Sequence, residues 1–176
     1  MRGIRNNNPL NIRHSADRWQ GARKEQTDKA FVQFEDMAYG YRAAWKVLDS
    51  YWKHFRKRQK PYNVRNIIAR WAPPSENHTE AYIRHVVKLS GLGANENLVR
   101  PSNGRQLERM ALLITAMTCV ENGTGMDQVN QDAIWQGYDL AWPGRRWIEE
   151  EEDQEEEKEE VPPTLWDEYW DWSVEV

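Results

Sequence analysis

The sequence predicts an α+β domain that is mostly helical, and three features of its patterning carry that expectation. Between about residues 40 and 141, five segments repeat apolar residues at helical spacing. Residues 1–36 lack that period and hold turn-formers and two short apolar-aromatic pieces instead. The segment 149–176 differs from both, being dominated by acidic and aromatic side chains.

The opening block, residues 2–13, packs four asparagines, three arginines and one proline into twelve positions. Asparagine and proline favour turns, and short carboxamides bond nearby backbone groups. Carboxamides also offer uncharged donors and acceptors that suit the amides and hydroxyls of a sugar polymer. The apolar-aromatic pieces around Trp19 and from Phe31 to Phe34, with a polar stretch between them, are expected to form a small β-hairpin lobe with a long loop.

A helix is expected over 40–58, with Tyr41, Ala44, Trp45, Leu48, Tyr51, Trp52 and Phe55 on its apolar side. Its final Arg56-Lys57-Arg58 suits the negative end of the helix dipole. A shorter helix over 63–71 is stopped by Pro73 and Pro74. The next is expected to begin near Asn77, with Glu80 completing a capping box and Gly91 ending it. The strongest pattern runs over 105–120, with Leu107, Met110, Leu113, Ile114, Met117 and Val120 inward. A last helix over 128–141 stops near Pro143 and Gly144.

The formal charge of −4 hides a split. Residues 149–176 hold fourteen acidic side chains and one lysine, a net of −13. That leaves +9 on the remainder, so the body should favour polyanions while the tail competes for the same field. Two units follow: a domain over 1–148, and an acidic tail over 149–176 expected to be disordered and to dock through Trp166, Tyr169, Trp170 and Trp172 on another protein, such as a virion component, or on this chain's own basic body.

Several classes are disfavoured. Cys119 is the single cysteine, which excludes an intrachain disulfide and a cysteine zinc site. The four histidines lack His-Glu-x-x-His spacing, and neither a metal nor another cofactor is expected. No apolar run suits a signal peptide or a membrane span. A nucleic-acid role would rest on the body's charge and the basic run 53–60 alone, without a recognisable motif.

The opening block is followed by Trp19-Gln20-Gly21, Phe31-Val32-Gln33-Phe34, Tyr39-Gly40-Tyr41-Arg42-Ala43, Arg70-Trp71-Ala72-Pro73-Pro74 and Ala116-Met117-Thr118-Cys119-Val120-Glu121-Asn122-Gly123. In this order, over about residues 2–142, the blocks resemble a phage and prophage family of virion structural proteins and lysozyme-like peptidoglycan hydrolases. The first half also resembles blocks of bacterial N-acetylglucosaminidases. The resemblance implies a lysozyme-like fold and cleavage of peptidoglycan glycan strands by a muramidase, glucosaminidase or lytic transglycosylase. It implies a protein of the virion, or of the host cytoplasm before release, that acts on the periplasmic cell wall. The alternative is a non-catalytic virion component that binds the wall. In the glucosaminidases the acidic helix precedes the asparagine block, whereas Glu121 follows it here. A circularly permuted arrangement is therefore expected, with the helix ending at Glu121 packed beside residues 8–13.

Glycan cleavage needs a proton donor at the leaving oxygen. Glu121 lies four, seven and eleven residues after Met117, Ile114 and Met110, hence on the apolar face of its helix. The apolar face and the helix C-terminus both disfavour a charged carboxylate there. Glu76 is the runner-up, although its place before a helix also suits the positive end of the dipole. Glu35 and Asp36 form a third candidate that a solvated turn explains adequately. Asn8, Asn11, Arg13, Trp19, Asn77 and Tyr82 are expected along a saccharide groove, amides meeting N-acetyl groups and rings stacking on sugars.

Overall fold

The computed structural model describes residues 1–75 and 78–147, with the backbone alone at Trp147. Glu76, Asn77 and the tail 149–176, for which roles are expected above, lie outside the described residues. Six α-helices are present in the described part: α1 (Arg2–Arg5), α2 (Met37–Lys57), α3 (Val64–Trp71), α4 (Thr79–Ser90), α5 (Leu107–Asn122) and α6 (Gln131–Ala141). The helical character expected from periodicity is present. The first helix, a single turn inside the asparagine-rich block, is too short to show a period.

The helix α5 is the axis of the core. Its residues Met110, Leu113, Ile114, Ala116 and Met117 are fully buried, as befits a helix that is apolar on most of its circumference. Packing against it are α4, α6 and the opening turn α1. Burial of each large aliphatic side chain contributes roughly 1.5–3 kcal/mol. Gly123, at φ 63°, ends α5 in the left-handed region that glycine adopts without penalty.

The longest helix, α2, starts where Asp36 accepts a hydrogen bond from the Ala38 N–H at 2.8 Å. It lies against α6 at very close range. A Cβ on Gly137 would sit 2.7 Å from both the Arg42 nitrogen and the Tyr41 Cβ, so only glycine allows this approach. Trp45 locks the pair: its indole N–H donates to the Ile134 carbonyl at 3.0 Å, and its ring meets Tyr138 edge-on at 5.1 Å.

Between α2 and α4, the Asn63 side chain caps α3 by accepting from the Asn66 N–H at 2.9 Å. The Asn77 half of the capping box expected with Glu80 lies outside the described residues. His78 precedes α4 without a side-chain cap, and Glu80 pairs with Arg65 at 2.6 Å. The last helix starts three residues later than its pattern suggests, because Met126–Gln128 forms a 3-10 turn and Asn130 caps α6.

The expected β-hairpin lobe is corrected to a clasped loop. Residues 13–34 hold only isolated bridges, Arg13 with Phe31 and Ala22 with Phe34. Side chains occupy the backbone groups that a ladder would use. Gln33 Oε1 accepts from the Thr27 and Asp28 N–H groups at 2.6 and 3.1 Å. Gln26 Oε1 accepts from the Gln33 N–H at 2.7 Å, and Asp28 Oδ1 from the Ala30 N–H at 3.0 Å. Such local bonding competes directly with strand pairing.

Candidate active site

Four asparagines open the chain, and the fold divides their work. Asn6 reaches the clasped loop, donating to Asp28 at 2.8 Å and accepting from Gln33 at 3.2 Å. Asn7 donates to the Phe34 and Glu35 carbonyls at 3.2 and 3.1 Å. Asn8 donates to the Ile12 and Val32 carbonyls at 2.9 and 2.8 Å and accepts from the Ile12 N–H at 2.8 Å. Asn8 is fully buried, so its placement along a saccharide groove is corrected: its amide is consumed in shaping the loop. Asn7 and Asn11 adopt φ of 51° and 52°, a left-handed backbone that asparagine tolerates better than most residues.

Asn11 alone turns the other way. Its Nδ2 donates to Glu121 Oε2 at 2.9 Å. The neighbouring Asn122 secures the same junction, donating to the Pro9 carbonyl at 2.7 Å and the Thr118 carbonyl at 3.0 Å. The end of α5 therefore packs beside the asparagine block.

Two further donors meet Glu121 Oε1, the Tyr82 hydroxyl at 2.9 Å and the Trp71 indole N–H at 3.2 Å. The opening loop, α3 and α4 thus each supply one neutral donor to one half-buried carboxylate on α5. No Arg, Lys or His bridges Glu121 among the described residues. Burial, and then the adjacent Glu121 carboxylate, push the Tyr82 phenol well above its ordinary range, so it stays a hydrogen-bond donor. Each carboxyl oxygen has two lone pairs. Oε1 uses both, whereas Oε2 meets one donor and keeps a position for a proton or an incoming group.

The other expected residues stand apart from this cluster. Arg13 is exposed and lies 5.7 Å from the Phe31 ring centre, which Arg2 approaches at 4.6 Å. Trp19 packs half-buried against the core. Asp36 caps α2, and Glu35 is exposed at a bend. Trp71 carries a donor that sequence reasoning missed. It is the last residue of α3, where the expected helix over 63–71 also ends, and its indole turns inward. Its bond to Glu121 spans fifty positions, and no local pattern encodes it.

Two surface hollows lie elsewhere, one lined by Arg2, Arg5, Asp28 and Lys29, the other by Arg65, His78, Glu80 and Arg84. Glu121 lines neither. Among the described residues no three or more His, Cys, Asp or Glu side chains are arranged to hold a metal. No described helix is long and apolar enough to cross a membrane.

No family model matches the chain. It is 34% identical over 146 residues to Protein P5 of Pseudoalteromonas phage PM2, a match covering 81% of this chain and 83% of that protein. The relative is a phage protein, in keeping with the phage resemblance carried by the sequence blocks. Identity at that level, across most of both chains, shows that this protein belongs to the family of Protein P5 of phage PM2.

Proposed function

We propose that this chain is a phage-encoded protein that cleaves the glycan strands of peptidoglycan, with Glu121 as the general acid. The observation that supports it is the meeting of Asn11, Trp71 and Tyr82 on that carboxyl group. In this reading the proton resides on Oε2 and passes to the glycosidic oxygen. The carbon–oxygen bond breaks, the leaving sugar departs as an alcohol, and positive charge develops on the ring it leaves. Water or the substrate's own 6-hydroxyl captures that centre and returns a proton to Glu121. Tyr82 and Trp71 fix the carboxyl plane, while the Asn11 amide steadies the oxygen that carries the proton. A lytic transglycosylase suits this cluster best, since it needs one acid and no second carboxylate contacts Glu121 among the described residues. The fold proposed with it is lysozyme-like and circularly permuted. The site of action proposed is the bacterial wall, reached from the virion or at lysis.

The second reading is a virion component that binds the wall without cutting it. It is favoured by the two hollows that bypass Glu121 and by three acceptor positions already taken by the protein's own donors. Mass spectrometry of purified walls after incubation separates the two readings. Anhydro-muramic ends support the transglycosylase, and reducing muramic or glucosamine ends support a hydrolase. Bound protein with intact strands supports the binder and overturns the enzyme.

A further inference from the structure

Helix α2 carries four of its cations on one stripe. Arg42, Lys46, Lys53 and Lys57 fall within roughly 60° of arc at 3.6 residues per turn. Asp49 lies on the same stripe but is buried and already paired, with Arg100 at 3.0 Å and Lys53 at 3.9 Å. Among the described residues Arg42, Lys46 and Lys57 pair with no carboxylate. Burial first, then Arg42, with Lys53 and Arg145 adding to it and Asp49 opposing, lowers the Lys46 ammonium from its ordinary value. The end of α6 is hung on this stripe. Arg42 donates to the Leu140 carbonyl at 3.4 Å, and Lys46 lies 4.7 Å from the centre of the Trp142 ring. The turn that follows, Arg145–Trp147, returns to it as well: Arg145 donates to the Ser102 carbonyl at 3.1 Å, and the Ser102 N–H donates to Asp49 at 3.4 Å. The chain therefore leaves the described body beside its densest row of cations.

We infer that the acidic run 149–160 docks along the Arg42-to-Lys57 stripe of α2, so that the chain covers its own cationic face. The occupant follows from charge and from the point of departure. Glu149 comes two residues after Trp147, and the run holds ten carboxylates and one lysine in twelve positions. Twelve extended residues reach about 40 Å, whereas α2 rises only about 16 Å from Lys46 to Lys57. Tethering holds those carboxylates at an effective concentration on the order of millimolar, above that of a separate polyanion at ordinary dilution. The docked run withholds the stripe from anionic polymers and gives it up when salt or a stronger polyanion competes. The inference is independent of any role of Glu121.

The test is carbodiimide coupling of the full chain, which joins a carboxylate to an amine only where the two touch, followed by mass spectrometry of the monomer fraction. Lys24, Lys29 and Lys88 are exposed elsewhere on the body and serve as controls. In low salt, carboxyls of 149–160 should couple to Lys53 and Lys57 about tenfold more often than to the three controls. At about 1 M salt, where screening acts within roughly 3 Å, that preference should vanish. No coupling, or coupling spread evenly over the exposed lysines, overturns the docking. A preference that salt leaves intact overturns its basis in charge. Coupling found in dimers alone overturns it too, since the run then lies on a second copy of the chain.

Discussion

Asn11 and Glu121 stand 110 positions apart in the chain, yet the carboxamide of one donates to the carboxylate of the other at 2.9 Å. The contact depends on backbone as well as side chain, since Asn11 presents its amide from a left-handed φ of 52°. Two substitutions separate these contributions. Asn11→Gly keeps the backbone and removes the amide; Asn11→Ala removes the amide and strains the backbone. Wall cleavage should fall in both, while Asn11→Ala should unfold about 1 kcal/mol more easily than Asn11→Gly. Denaturant titration beside an activity assay checks this.

Gly3 tests the close fit beneath the site. A Cβ there would lie 2.7 Å from Asn122 Oδ1, 2.9 Å from the Asn8 carbonyl and 3.0 Å from Asn11 Oδ1. Helix propensity alone favours alanine in α1 by roughly 0.5–1 kcal/mol. The crowding should reverse that sign, with Gly3→Ala destabilising the protein by about 1–3 kcal/mol. A stabilised variant in urea unfolding would show that the junction is looser than described.

Asn8 should behave as a structural residue. Its three hydrogen bonds are fully buried, and Asn8→Ala removes the bonds to the Ile12 N–H and the Val32 carbonyl, while the Ile12 carbonyl keeps the Val32 N–H at 3.0 Å; the cost should be about 3 kcal/mol. The expected result is a lower melting temperature with unchanged wall affinity per folded molecule. Co-sedimentation corrected for the folded fraction distinguishes this from a binding role.

Acid should loosen the opening clasp through Asp28. The Arg2 guanidinium first, then the Asn6 amide, hold the Asp28 carboxyl well below the usual carboxylate range, with help from the Ala30 and Phe31 N–H groups. A carboxyl lowered on folding contributes stability that is complete above its unfolded value, about pH 4. That contribution is lost as the pH falls from there towards the folded-state value. Asp28→Asn should therefore melt lower than wild type at neutral pH, and the gap should narrow below about pH 4. Thermal melts across pH 2–7 measure it.

The sequence shows the long helices because their information is local. Apolar spacing marks α2 and α5, and Gly91 and Gly123 mark helix ends. Glu121 is legible for the same reason, since its face follows from Met110, Ile114 and Met117. What surrounds it is less legible. Tyr82 and Asn11 were expected near saccharide, but their bonds to Glu121, and that of Trp71, depend on long-range packing. Asn8 misleads because a buried carboxamide and a sugar-binding one look alike in sequence. The hairpin lobe fails because Gln26, Asp28 and Gln33 take the bonds that strands would share.

The central claim is that the Glu121 carboxyl supplies the proton that breaks a glycan strand. Glutamine at 121 can still accept from Trp71 and Tyr82, and a turned Asn11 amide can meet its NH₂ group through Oδ1, which accepts no other hydrogen bond. Glu121→Gln should therefore fold with a melting temperature close to wild type. The decisive measurement is the rate at which purified sacculi release soluble fragments with each protein. The account predicts release by wild type and a loss of at least about a hundredfold in Glu121→Gln. Equal release by both, or none by wild type, contradicts it.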